Sequence, residues 1–172
     1  MTAKRFLPRV LLLMPLALVL GCALGRPPYD RLVIDTFMPT GFFQNDTFLT
    51  LIDSAGNLIA QDDNSNPDQV NHQFCSRIDY QNGLLSGTYY IKVHKPTDVG
   101  SLQYCIRVLE SIESFPATAP VNEAPDTDGV VDGNGVPIAP VAITLGQVIS
   151  RAINPEPPDP AADVDWFKLV LP

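Results

Sequence analysis

Residues 45–93 read NDTFLTLIDSAGNLIAQDDNSNPDQVNHQFCSRIDYQNGLLSGTYYIKV, and this stretch decides the fold class. It consists of short runs rich in β-branched, aromatic and alternating apolar residues, separated by turns rich in Gly, Asn and Asp. Such runs are typical of β-strands, and such turns are typical of the connections between them. The sequence has no stretch with the 3.6-residue period of a helix, so it predicts an all-β domain.

Within this stretch, the pattern predicts individual strands and one hairpin. Residues 47–52 are largely apolar on both parities, which indicates a strand in the middle of a sheet. The turn SAGN at 54–57 leads into a return strand and predicts a hairpin. Tyr89, Ile91 and Val93 share the inward face of a later strand by alternation. Further strands are predicted at residues 32–37, 75–80, 102–109, 141–145, 148–153 and 163–171.

The N-terminus has the composition of an export signal. Basic residues precede an apolar run at 10–20, whose 11 residues are too few to span a bilayer, for which about 20 are needed. The run LVLGC at 18–22 resembles the lipobox of bacterial lipoproteins, in which the Cys, here Cys22, is acylated and becomes the mature N-terminus. The alternative is an ordinary secretory signal in which Cys22 has no special role. We predict a signal peptide at 1–21 and a tether at 22–30.

The charge balance excludes some partners. The chain carries 11 Lys and Arg against 19 Asp and Glu; removal of the signal peptide, which holds three basic and no acidic residues, leaves 8 against 19 and a net charge of −11. Such acidity argues against nucleic acid and against electrostatic docking on anionic headgroups. Membrane attachment then depends on acyl chains at Cys22. By resemblance to lipoproteins, Ala23 in place of an Asp favours the outer membrane.

The mature chain has room for one sandwich domain with a long interruption. Residues 31–113 hold the main part of the predicted sandwich. Residues 114–140 are rich in Pro, Gly and Asp, which predicts a loop or linker. Residues 141–172 return to strand-like patterns and carry the only Trp, which we expect to be buried.

Several segments resemble the bacterial pre-peptidase C-terminal domain, a jelly-roll-like β-sandwich appended to secreted proteases and other exported proteins. The matching segments are IDTF at 34–37, DTFLTLIDSAGNLIAQDD at 46–63, SRIDY at 76–80, SGTYYIKV at 86–93 and YCIRV at 104–108. They are spread over residues 34–108, a range of about half of the mature chain, and their combination is more specific than any single segment. The resemblance implies a jelly-roll-like β-sandwich.

The order of the segments differs from that family. Its members usually open with strands that end in a motif like DxDWFxL, whereas here DVDWFKL stands at 163–169. One explanation is a circularly permuted sandwich in which residues 141–172 fold back as the opening strands. The other is a truncated second repeat whose strands dangle or pair with a second molecule. Leaving large apolar side chains in water forfeits about 1.5–3 kcal/mol each, so burial favours the permuted sandwich.

Two cysteines remain after export, Cys75 and Cys105. An oxidising compartment permits them to pair. Both fall on the polar parity of their predicted strands, together with Arg77 and Arg107, as a cross-strand disulfide on one outer face requires. The parity predicts a disulfide, and two free thiols are the alternative.

The polar loop DDNSNPDQVN at 62–71 is the candidate metal site. Carboxylates and amides in one loop supply the oxygen ligands that Ca²⁺ requires, and some relatives of the resembled family bind calcium. The simpler interpretation, a solvated turn, takes precedence. A second acidic segment, DTDGVVDGNG at 126–135, lacks the EF-hand spacing and is interpreted as an acidic linker. The candidate calcium ligands are Asp62, Asp63, Asn64, Asn66 and Asp68.

The sequence offers no recognisable catalytic set. Neither His72 nor His94 belongs to a ligand-spaced cluster, and His94 falls on an outward parity. Asp163 and Asp165 are two residues apart, but without a defined cleft we interpret them as turn and edge residues. Among the four strand tyrosines, only Tyr90 points outward by parity, so core packing explains the other three.

These patterns predict a non-enzymatic lipoprotein of the outer membrane or cell surface. Its sandwich is expected to act as a structural module or to bind an unknown protein or glycan. One alternative is an accessory domain that assists the secretion or folding of an exported protease. Another is a calcium-dependent module that binds matrix or glycan.

Overall fold

The computed structural model describes residues 29–38, 46–65, 74–95, 102–111, 131–153 and 164–172, and these ranges contain nine β-strands and no helix. Every strand that the sequence predicts is present. In chain order they are β1 (Leu32–Phe37), β2 (Phe48–Asp53), β3 (Leu58–Asp63), β4 (Arg77–Tyr80), β5 (Gly87–His94), β6 (Leu102–Leu109), β7 (Val141–Ile143), β8 (Val148–Ile153) and β9 (Val164–Leu171).

The strands form two sheets that enclose one core. The four-stranded sheet has the order β4-β1-β6-β8, and the five-stranded sheet has the order β3-β2-β5-β9-β7. All neighbours pair antiparallel except β7 and β9, which are parallel. From β3 onward, each connection carries the chain from one sheet to the other. The fold is therefore an all-β sandwich, as predicted.

The core lies between the inward faces of the two sheets. Alternation along β5 places Tyr89, Ile91 and Val93 in it, as the sequence predicts, and β6 adds Tyr104 and Ile106 from the other sheet. These side chains are at most 8 % exposed, and burying each large apolar side chain stabilises the fold by about 1.5–3 kcal/mol. The remaining core members include Leu32, Ile34, Leu49, Leu51, Ile78, Val108, Ile143, Ile153, Phe167, Leu169 and Leu171.

The predicted central strand is β2. It lies between β3 and β5, with Leu49 and Leu51 fully buried on its inner face and Ile52 nearly buried on its outer face. The predicted hairpin joins it to β3 through residues 54–57. The sequence therefore places both the strand and its turn correctly.

The C-terminal strands complete the sandwich. β9 pairs with β5 along its whole length, from Val164 opposite His94 to Leu171 opposite Gly87. β8 pairs with β6 as the edge strand of the other sheet. This is the fold-back arrangement that burial favours in the sequence, and it excludes dangling strands for the described part of residues 141–172.

Strand β9 corrects two predictions. Trp166, which we expected to be buried, is half-buried on the outer face, and its neighbour Phe167 is fully buried in the core instead. Asp165, which we interpreted as an edge residue, faces inward, is 5 % exposed and accepts a hydrogen bond from the Tyr104 hydroxyl at 2.5 Å. Because neighbours in a strand face opposite ways, the inward Phe167 forces Trp166 outward.

The outer face of the four-stranded sheet carries a buried row of charges. Asp35 on β1 stands opposite Arg77 on β4 and Arg107 on β6. Its carboxylate accepts hydrogen bonds from Arg77 Nε at 2.5 Å and from Arg107 Nη2 at 2.9 Å. The three residues are at most 6 % exposed. This part of the outer face is therefore buried, although its side chains are charged.

Candidate functional site

An open cleft lies on the outer face of the five-stranded sheet, with a volume of about 350 Å³. Outward side chains of three adjacent strands form its floor. β2 contributes Ile52, β5 contributes Lys92, and β9 contributes Val164 and Trp166. Lys92 stands directly opposite Trp166 in the β5–β9 pairing. Because these strands are hydrogen-bonded to one another, the backbone positions of the floor residues are fixed.

A tight turn within residues 131–137 forms the second wall. The carboxylate of Asp132 accepts hydrogen bonds from the amides of Asn134 at 2.8 Å and Val136 at 3.0 Å. Gly135 closes the turn with a φ of 77°, a conformation that favours glycine. This part of the predicted linker is therefore an ordered turn, and Asp132 is its cap rather than a metal ligand.

The hairpin turn between β2 and β3 has the same hydrogen-bond pattern. The carboxylate of Asp53 accepts the amides of Ala55 at 2.8 Å and Asn57 at 2.9 Å, and Gly56 has a φ of 84°. The two turns pack against each other, since a Cβ added at Gly56 would lie 2.4 Å from the carbonyl oxygen of Asn134. The absent side chain at Gly56 thus lets the second wall sit on the sheet.

The cleft combines three chemical groups. Trp166 offers a half-buried indole, Asn134 lies in the opposite wall, and the Lys92 ammonium lies 6.0 Å from the centre of the indole ring. That distance is the outer limit of a cation–π interaction. Among the described residues that line the cleft, Lys92 is the only ionisable one. An aromatic surface beside an amide and a cation suits a ring-shaped ligand with polar substituents.

The predicted calcium loop begins later than expected. Asp62 and Asp63 belong to β3 rather than to the loop, and Asn66 and Asp68 lie outside the described residues. Asp62 stands opposite Leu49 on the inward parity and Asp63 stands opposite Phe48 on the outward parity, so their side chains diverge.

The Asp62 carboxylate already has protein donors. It accepts the backbone amide of Arg77 at 2.8 Å and the hydroxyl of Ser65, which ties the end of β3 to β4 in the other sheet. Asn64 has a φ of 65°, which turns the chain away after the strand. The described members of the proposed set therefore do not fit a calcium site. Across the described residues, no group of three or more His, Cys, Asp or Glu side chains is arranged to hold a metal ion.

The two cysteines are free, buried thiols. Burial raises the pKa of Cys75 to about 12 and that of Cys105 to about 11. Cys105 on β6 pairs with Phe37 of β1. Strand β1 lies between β6 and β4, and Cys75 comes just before β4. Two strand spacings separate Cα atoms by about 9–10 Å, whereas a disulfide needs less than about 7 Å. The predicted disulfide is thus corrected to two free thiols, because parity does not reveal an intervening strand.

His94 is half-buried and its ring centre lies 4.8 Å from that of Phe48. Its Nδ1 is buried and has no hydrogen-bond partner among the described residues. Burial, with a smaller effect of Lys92, lowers the pKa of His94 to about 4. A histidine with this pKa is neutral at pH 7. His72, Asp163 and the lipidation candidate Cys22 lie outside the described residues.

The outward tyrosine is the one that parity predicts. Tyr89 and Tyr104 belong to the core and Tyr80 packs against it, whereas Tyr90 lies on the outer face opposite Lys168. In the part of the chain that the structure describes, no helix is long and apolar enough to cross a membrane.

Comparison with known proteins gives no match: no family model, no curated protein and no solved structure is significantly similar to this chain. The resemblance to the pre-peptidase C-terminal domain and to lipoprotein signals therefore stays a prediction. The cleft itself is a feature that the sequence did not reveal. The only sign of the cleft in the sequence is that Trp166 has the parity opposite to that of Phe167. Most of the residues that line the cleft with Trp166 are far from it in the chain.

Proposed function

We propose that this protein is an exported, lipid-anchored binding module without enzymatic activity, and that its ligand binds in the outer-face cleft. The observation that carries the proposal is the half-buried Trp166 in the floor of that cleft. An aromatic ring that stays accessible to water on the outer face of a sheet lacks the stabilisation that burial of its surface would supply. Contact with a ligand buries the ring and supplies that stabilisation. The lipid anchor rests on the LVLGC segment and Cys22.

Co-sedimentation with insoluble polymers tests the binding function. The mature chain carrying Cys22→Ser is mixed with peptidoglycan sacculi, cellulose, chitin or type I collagen and then pelleted. We expect retention on at least one polymer, and Trp166→Ala is expected to reduce it at least tenfold. Val170→Ala is the matched control, because Val170 is 59 % exposed on the same strand but outside the cleft. Retention that Trp166→Ala leaves unchanged would move the binding site elsewhere.

Fractionation of the producing cell tests the anchor. The wild-type chain is expected in the membrane fraction, and Cys22→Ser is expected in the soluble fraction, since acyl chains supply the attachment. Cys75→Ser controls for the loss of any thiol and should stay with the membrane. If Cys22→Ser also stays with the membrane, the lipid anchor is wrong.

A further inference from the structure

We infer that the cleft takes a sugar in its pyranose form that carries one carboxylate, with Trp166 stacked on the ring and Lys92 holding the carboxylate. This inference rests on the proposed function, because it names the ligand class of the same site. It is carried by the chemistry of the lining and by the charge of the chain.

The aromatic side of the cleft selects the ring. The face of an indole is electron-rich, so it attracts the weakly positive C–H groups that cover one face of a pyranose. Ile52 and Val164 extend the apolar floor on both sides of this contact region. A planar or ring-shaped ligand buries more of this floor than an extended peptide side chain does.

The second wall selects hydroxyl and amide substituents. It consists of the turn that carries Asn134 and Gly135, and Gly56 lies where the turn meets the sheet. Asn134, which lines the cleft, has both donors and an acceptor in its side-chain amide. These groups match the ring hydroxyls or an N-acetyl group of a sugar.

The charge of the cleft selects the carboxylate. Lys92 is the sole ionisable residue among the described lining residues, in a chain with a net charge of −8. One cation without a carboxylate beside it in the lining favours one anionic group on the ligand. The negative charge of the whole chain repels polyanions such as nucleic acids, so a ligand with a single negative charge is favoured. The cleft volume of about 350 Å³ accommodates a small ligand, and the open side lets a glycan chain continue outward.

Trp166 also provides the measurement, because it is the only Trp in the chain. The mature chain with Cys22→Ser is titrated with cellobiose and with cellobiouronic acid, which differ by one carboxylate, while Trp166 emission is followed. We expect the acidic disaccharide to bind at least tenfold more tightly, and the difference to shrink with added salt. The disaccharide unit of peptidoglycan, which carries a lactyl carboxylate, is the parallel probe for a ligand from the cell envelope.

Two matched lysine variants decide the role of the cation. Lys92→Met is expected to abolish the preference, so that the acidic disaccharide binds no more tightly than cellobiose does. Lys168→Met should keep the preference, because Lys168 lies on the outer face of β9, opposite Tyr90, and does not line the cleft. Equal melting temperatures of the two variants establish that both are folded.

The outcomes separate this inference from the proposed function. Tighter binding of either acidic disaccharide that depends on Lys92 supports the inference and identifies the source. Equal affinity for acidic and neutral disaccharides, or a preference that survives Lys92→Met, overturns the inference and leaves a Trp166-dependent binding module. Failure of every disaccharide, together with Trp166-independent behaviour on every insoluble polymer, overturns both.

Discussion

Asp35 holds two buried arginines together on the four-stranded sheet. Arg77 and Arg107 approach its carboxylate from the strands on either side, and all three residues are nearly excluded from solvent. Removing the carboxylate charge leaves two guanidinium groups close to each other in a region of low dielectric. We therefore expect Asp35→Asn to lower the free energy of unfolding by about 3–5 kcal/mol. Urea denaturation followed by Trp166 emission measures it.

Asp79→Asn is the control for that prediction. Asp79 also carries a bidentate bond to an arginine, with Arg31 Nε and Nη2 both 2.7 Å from its oxygens, but that pair is accessible to water. Solvent screens an exposed pair, so the loss for Asp79→Asn should be much smaller. Equal losses for the two variants would contradict the role assigned to burial at Asp35.

His94 makes stability depend on pH. Its pKa in the folded chain is about 4, below the ordinary value of 6.5, because burial disfavours the charged ring. The unfolded chain therefore takes up a proton between pH 6.5 and 4 that the folded chain does not. Stability from the neutral ring is fully present above pH 6.5 and is lost as the pH falls to 4. Because the ring is half-buried, we expect a loss of about 1–2 kcal/mol after solvent screening.

The difference between wild type and His94→Gln isolates this effect in urea titrations at pH 7.5, 6.5, 5.5 and 4.5. The pKa of Asp46 is raised, chiefly by burial and also by Asp63, so that carboxyl acts in the opposite direction. It is present in both proteins and cancels in the difference. A constant difference across this range would show that His94 does not titrate abnormally.

The two glycine turns are the smallest elements that shape the cleft. Gly56 and Gly135 have similar positive φ values, 84° and 77°, but only Gly56 faces a backbone atom, the Asn134 carbonyl oxygen. We expect Gly135→Ala to cost about 1–2 kcal/mol through backbone conformation alone. Gly56→Ala should cost about 1–3 kcal/mol more, because the second wall must move. Thermal or urea unfolding measures both costs, and ligand affinity should fall more with Gly56→Ala than with Gly135→Ala.

Gly135→Ala is the matched control for the turn contact, since nothing lies within 4 Å of a Cβ added at Gly135. If the two variants lose equal stability and equal affinity, then the contact between the turns does not hold the cleft open. The pair therefore separates the strain of a left-handed residue from the crowding between two turns.

Strand β9 supplies the core and the cleft with alternate residues. Phe167 is fully buried between the sheets, and Val170 is 59 % exposed on the outer face. We expect Phe167→Ala to cost about 3–5 kcal/mol, through lost burial and the cavity that remains. Val170→Ala should change stability by less than about 0.5 kcal/mol. Urea denaturation of both variants checks the assignment of faces, which equal losses would refute.

At the scale of elements, alternation in the sequence predicts strands and inward faces well. It places Tyr89, Ile91 and Val93 in the core because a strand fixes which neighbours share a side. It fails at Trp166, because the largest apolar residue was assumed to be the buried one. In β9 the inward parity belongs to Phe167 and to Asp165, whose charge is accommodated by the Tyr104 hydroxyl.

At the scale of the whole molecule, the cleft is assembled from parts that no local pattern connects. Ile52, Lys92 and Trp166 come from strands that are neighbours only because the sheet order is β2-β5-β9. The turn with Asn134 reaches the sheet only because Gly56 makes room for it. The same limit explains the cysteines, since the strand between them is set by pairing over long range. Sequence patterns therefore predict the elements here, whereas long-range pairing sets the site.

The last three strands are the remaining test of the architecture. Truncation after residue 140 removes β7, β8 and β9, which unpairs β5 and β6 along one side and opens the core at Tyr104 and Ile91. Exposed sheet edges and apolar faces lead to aggregation rather than to a smaller stable domain. We expect fragment 22–140 to lack cooperative unfolding by far-UV circular dichroism, and co-expression of 141–172 to restore a soluble complex. A soluble fragment 22–140 with the melting temperature of the full chain would show that the C-terminal strands are dispensable.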